Sequence, residues 1–129
     1  MKKVFYFYSI LSLVSVLMFS SCSDESCDDQ TLSEIIVGSW TSEFGSSTID
    51  FLADGTLIDP EDDLIAFESN GVVYSEKSYT VVSDTEIILR AADPNNNVSS
   101  FSFPVDVVGY DCDKITLSVL GINSDLKRQ

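Results

Sequence analysis

The sequence contains no histidine. That absence removes imidazole as base and ligand, and with it Ser-His-Asp and Cys-His nucleophile systems and the common zinc sites. Basic residues are also scarce. Seven Lys and Arg stand against 21 Asp and Glu, a formal charge of −14, so the chain lacks the cations that neutralise phosphates and nucleic acid is excluded as a partner. The same acidity repels anionic lipid and favours solubility. No apolar run recurs after Phe19, and no helical periodicity is long enough to argue for βαβ units. Carboxylates are plentiful but carry no pattern. Among 21 of them some pair will always look suitable for glycoside chemistry, so composition singles out no catalytic pair. The chain is read as non-catalytic, without cofactor or metal. Asp59-Pro60-Glu61-Asp62-Asp63 offers the oxygens that Ca²⁺ prefers but not the Asp-x-Asp-x-Asp-Gly order of a calcium loop, and reads as a solvated loop.

What the chain does have begins with a leader. Lys2 and Lys3 precede the apolar run Val4 to Phe19, which falls short of the roughly 20 residues a spanning helix needs. Phe19-Ser20-Ser21-Cys22 places small residues directly before a cysteine, as in bacterial lipoprotein signals. Residues 1–21 therefore read as a lipoprotein signal peptide, and Cys22 as the site of lipid attachment. The membrane then becomes a partner through an acyl anchor, to which each buried methylene contributes about 0.8 kcal/mol. Residues 22–34 are polar and acidic and read as a tether. Thr31-Leu32-Ser33-Glu34 has capping-box spacing, which predicts one helical turn before the first strand.

From Ile35 onward the apolar pattern has period two, the signature of strands. Gly38 and Trp40 share a face, and a missing side chain at Gly38 would leave the indole room to lie across a barrel floor. Ile49 and Phe51 alternate with Thr48 and Asp50, and Asp54-Gly55 predicts a two-residue hairpin. Segments 64–69 and 72–74 flank a second hairpin signal, Asn70-Gly71; segments 78–83 and 86–90 follow; residues 91–97 read as a loop. An extended piece at 98–108 carries Pro104, which predicts an edge or bulge there. Lys114 to Leu120 alternates most cleanly. About eight or nine short strands at this spacing predict an all-β domain over residues 35–120, a small antiparallel barrel or sandwich. Residues 121–129 read as a C-terminal tail.

Gly38-Ser39-Trp40 followed by Ile49-Asp50-Phe51-Leu52-Ala53-Asp54-Gly55-Thr56 resembles the opening of lipocalin-like domains in lipid-anchored proteins of the Bacteroidetes. The resemblance covers the opening strands well and the remainder loosely. It implies a lipocalin-like β-barrel of about eight strands, which either fills with side chains or holds one small ligand. In lipocalins a basic residue near the last strand packs on the tryptophan; Arg90, Lys114 and Arg128 are the candidates. The Thr-Asp-x-x-Tyr motif that true lipocalins carry mid-chain is absent. Acidic residues just after Cys22 resemble signals that send lipoproteins of that group to the outer leaflet of the outer membrane, and they equally fit a plain solvated linker.

Two functional classes follow. The first is a binding module for a small apolar or amphipathic molecule, lined by Phe51, Phe67, Phe101 and Phe103. Those same rings also suit an ordinary β core. The second is a non-catalytic interaction or structural lipoprotein with a filled barrel. Cys27 and Cys112 are the thiols remaining after lipidation; they either pair, in an oxidising envelope, or stay free.

Overall fold

The computed structural model describes residues 27–129. The leader, Cys22 and the first part of the tether lie outside the described residues. A 3-10 turn, Cys27–Asp29, leads into a one-turn helix α1, Leu32–Ile35. The expected capping box is present: the Glu34 carboxylate accepts from the Thr31 N–H at 2.8 Å and from its hydroxyl at 3.0 Å. Those donors, the backbone N–H foremost, hold the Glu34 carboxyl below its ordinary range. So short a helix depends on packing; Leu32 and Ile35 are buried, and the Leu32 N–H donates to Asp84 at 2.9 Å.

Ten strands follow: β1 Gly38–Ser42, β2 Thr48–Phe51, β3 Leu57–Ile58, β4 Glu68–Ser69, β5 Val72–Val73, β6 Glu76–Ser83, β7 Glu86–Asp93, β8 Asn96–Tyr110, β9 Lys114–Val119 and β10 Ile122–Arg128. Eight form one antiparallel sheet in the order β3-β2-β1-β10-β9-β8-β7-β6, while β4 and β5 make a separate small hairpin. Chain neighbours pair throughout the eight, except where β10 returns to pair β1. A bridge between Thr56 and Ser78, with the Tyr79 N–H donating to Gly55 O at 2.8 Å, brings the two outer strands together. The sheet thereby forms a nearly closed up-and-down barrel.

The stretch read as a tail is therefore a barrel strand. β10 pairs β9 from Ile122 to Lys127 and β1 from Leu126 to Arg128, and Leu126 is fully buried. Its sequence, INSDLKR, is mostly polar; backbone pairing on both sides holds it, with little apolar alternation to announce it. The tight turn before it is Leu120-Gly121, with φ of 53° and 83°. The tether boundary moves too, since Leu32 belongs to the core and Cys27 is covalently joined to Cys112, with Cα atoms 5.5 Å apart. Closing that loop, 85 residues in separation, lowers denatured-state entropy by about 4.5 kcal/mol at 25 °C in the chain-entropy model.

Asn70-Gly71 does form a two-residue turn, both residues having positive φ. Asp54-Gly55 does not: the Gly55 N–H returns to Leu52 O at 3.0 Å, the Leu52 N–H bonds Thr56 O at 2.9 Å, and only Gly55 has positive φ, at 88°. This is a three-residue loop ending in a left-handed glycine, and the Asp54 carboxylate accepts from the Thr56 N–H at 2.9 Å instead. Residues 91–97 are likewise mainly strand, with Ala91 and Ala92 buried. Pro104 pairs across from Ile88, where β8 has run past its last β9 pairing at Asp106–Ser118; β8 is an edge at that point.

Inward positions of the strands supply the core, with Trp40, Ile49, Ile87, Val105, Ile115 and Leu126 all at 1% exposure or less. Phe51 lies among them at 0%, edge-on to Tyr79 with ring centroids 5.0 Å apart. It is part of the core and lines neither of the two apolar cavities described below, which corrects its reading as a ligand contact. Among the described residues the buried apolar side chains, Ala92 apart, pack within one cluster, so a chain beginning at Cys27 carries this core.

Candidate functional site

The two barrel ends differ in kind. At the end where β10 finishes, the barrel is filled. Trp40 donates its indole N–H to Ile36 O at 2.8 Å, and the Arg128 guanidinium sits 4.4 Å from its ring centroid. Of the three basic candidates, Arg128 is thus the one on the tryptophan. Its Nη2 and Nε donate to Ile35 O and Cys112 O, each at 2.6 Å. Gly38 serves this guanidinium, not the indole: a Cβ there would lie 2.8 Å from Arg128 Nη1, and the backbone φ of 141° excludes most side chains. The Cys27–Cys112 bridge belongs to the same end, since Cys112 lies in the turn that begins β9.

At the opposite end, where β9 finishes, an apolar mouth opens. A cavity of about 270 Å³ runs between Phe44 and Leu64 down to Leu89, Val105 and Leu117. A second, of about 430 Å³, lies between Phe101 and Phe103 on the projecting part of β8 and Val119 and Leu120 of the β9–β10 turn. Val119 and Leu120 line both. Pockets for small apolar molecules fall at roughly 300–1,000 Å³; the second space lies within that range and the first just below it. Phe67 stacks on Phe101 with centroids 4.3 Å apart and planes at 6°, while Tyr74 meets Phe67 edge-on at 4.9 Å. The expected quartet of phenylalanines therefore divides: Phe67, Phe101 and Phe103 form one cluster, half-buried or exposed, and Phe51 sits apart in the core.

The connection from β3 to β6 frames this mouth, and its acidic run is not a plain solvated loop. Asp59 is buried, accepting the N–H groups of Asp63, Leu64 and Ile65 at 2.8, 3.0 and 2.9 Å. Lys77 bridges Asp59 at 3.2 Å and Asp62 at 2.5 Å. A buried carboxylate needs such partners, and meeting that need places Leu64 and Ile65 over the barrel. Asp63 then accepts from the Ser47 hydroxyl at 2.6 Å, fastening the β1–β2 loop.

Leu120 is the residue that sequence reasoning passed over. It holds a left-handed φ of 53° and is 99% exposed. An L-residue there is strained by about 1–2 kcal/mol, and Asn or Gly would relieve it. An exposed leucine in a strained turn breaks two local preferences at once, and such departures gather at functional sites. Phe44 and Ile122, 71% and 69% exposed, continue the apolar rim. Period-two alternation cannot separate residues that fill a barrel from those that line its mouth, so Leu89, Val105 and Leu117 carried no distinguishing signal.

Elsewhere, a polar cleft of about 360 Å³ lies at the β3–β6 seam, lined by Thr56, Ser75, Glu76, Lys77, Ser78 and Arg90 among others. Among the described residues no group of three or more Cys, Asp or Glu side chains is placed to hold a metal ion. Comparison with protein-family models, curated proteins and solved structures finds no match for this chain.

Proposed function

We propose that this protein is a lipid-anchored, lipocalin-like binding protein of the bacterial cell envelope whose barrel mouth takes up a small apolar or amphipathic molecule. The observation that carries the reading is the pair of adjoining apolar cavities at one end of the barrel, opposite the end that Trp40 fills. Leu120 supports it, because its strained and exposed placement gains nothing for the fold. The anchor rests on the leader and Cys22, with the outer membrane as destination. Cys22 lies five residues before Cys27, so a fully extended tether spans about 17 Å. The filled end then stands near the bilayer and the mouth faces away from it.

The exposed rim of Phe44, Leu120 and Ile122 favours a second reading, in which the mouth docks on another envelope protein and no small molecule enters. Native mass spectrometry of residues 27–129 released from their own envelope separates the two. A reproducible added mass that leaves on denaturation supports the binding role; a bare polypeptide mass points to the docking role. For the anchor, Cys22→Ala should abolish acylation and membrane fractionation, and a variant still pelleting with membranes would refute it.

A further inference from the structure

The charges around the mouth identify the class of amphiphile. We infer that the ligand is a single-chain cationic amphiphile, with its alkyl chain in the apolar cavities and its ammonium head at the Asp63 rim; this rests on the binding role proposed above. The inference comes from where each cation of the described residues lies. Lys114 lies at the start of β9 and Lys127 and Arg128 at the finish of β10, all at the filled end, where Lys114 faces Asp125 at 3.8 Å and Arg128 covers Trp40. Arg90 lines the polar seam beside Glu76, outside the mouth. Lys77 is closer, but its ammonium is held by Asp59 and Asp62 together, its side chain only 6% exposed. Among the described residues no free positive charge therefore reaches the mouth.

A carboxylate does. Asp63 lines the 270 Å³ cavity with Phe44 and Leu64, half-buried, and its Oδ2 takes the Ser47 hydroxyl and N–H. No ion pair to Asp63 exists among the described residues. A fatty-acid anion seated here would bring its head against Asp63 in the field of a chain of net charge −14, with no counter-charge to receive it. An ammonium head meets complementary charge at the rim, where partial exposure still lets each partner keep some water.

The test compares decyltrimethylammonium, decanol and decanoate, one alkyl chain with three heads, added to residues 27–129 below micellar concentrations. Saturable shifts of the Leu89, Val105 and Leu117 methyl resonances report the cavity alone and ignore adsorption elsewhere on the acidic surface. The cation should bind about tenfold more tightly than decanoate, with decanol between them, and the gap should narrow as salt screens the rim. Asp63→Asn, which keeps an acceptor for Ser47, should bring the cation close to decanol. Decanoate binding as tightly as the cation, or a preference untouched by Asp63→Asn, overturns the inference while leaving an apolar binding mouth in place. Binding of none of the three overturns the mouth reading, and this inference with it.

Discussion

Replacing Arg128 with alanine should destabilise the barrel by about 2.5–3 kcal/mol. The residue is solvent-exposed overall, so its contact with Trp40 takes the lower cation–π range, about 0.5–1 kcal/mol. Its hydrogen bonds to Ile35 O and Cys112 O, both 2.6 Å, are charge-assisted but partly wet, and contribute about 1 kcal/mol each. For a domain of this size each kcal/mol lowers Tm by about 4–8 °C, so the expected drop is roughly 10–20 °C. Arg128→Lys keeps the charge but not the planar fork that reaches two carbonyls from one position, and should recover less than half of the loss. Urea denaturation followed by the fluorescence of Trp40, the sole tryptophan, measures all three proteins. Lys127→Ala, one position earlier on an exposed face of the same strand, serves as control and should stay within about 0.5 kcal/mol of the parent. An Arg128→Ala protein as stable as that control would refute the assignment. So would an equal effect in a Trp40→Leu background followed by circular dichroism, since the coupling between the two side chains would then be zero.

Lys77→Met should cost about 3 kcal/mol, because the Asp59 side chain is completely buried and would lose its counter-charge while keeping its backbone donors. Adding Asp59→Asn should restore part of that loss, and a single mutant losing under about 1 kcal/mol in a urea titration would contradict the pairing. Leu120→Asn should raise stability by about 1 kcal/mol by relieving the left-handed turn, yet weaken uptake of any apolar ligand. A melting temperature unchanged or lowered would mean that the leucine side chain gains packing the exposed rim does not provide.

Legibility followed how local each interaction is. The helical turn at 31–35 was readable because a capping box is a three-residue device, and the Asn70-Gly71 turn because its backbone requirement lies in the two residues themselves. Asp54-Gly55 misled because the same dipeptide also suits the last positions of a three-residue loop, and the register of β2 on β3 chooses between them. Leu120-Gly121 was invisible as a turn because leucine has no intrinsic reason to adopt positive φ, and β10 was lost with it.

Period-two alternation therefore determined the all-β class, the approximate strand number and the inward set that includes Trp40, since those depend only on which face each side chain takes. Composition removed histidine chemistry without reference to shape. Closure of the barrel decided the rest. Pairing β10 with β1 chose Arg128 over Arg90 and Lys114 as the partner of Trp40. The overhang of β8 gathered Phe67, Phe101 and Phe103 at the mouth and left Phe51 in the core. Whether an inward residue fills or lines a barrel depends on its height along the axis, and that height is set by pairings between strands far apart in the chain, which no local pattern encodes.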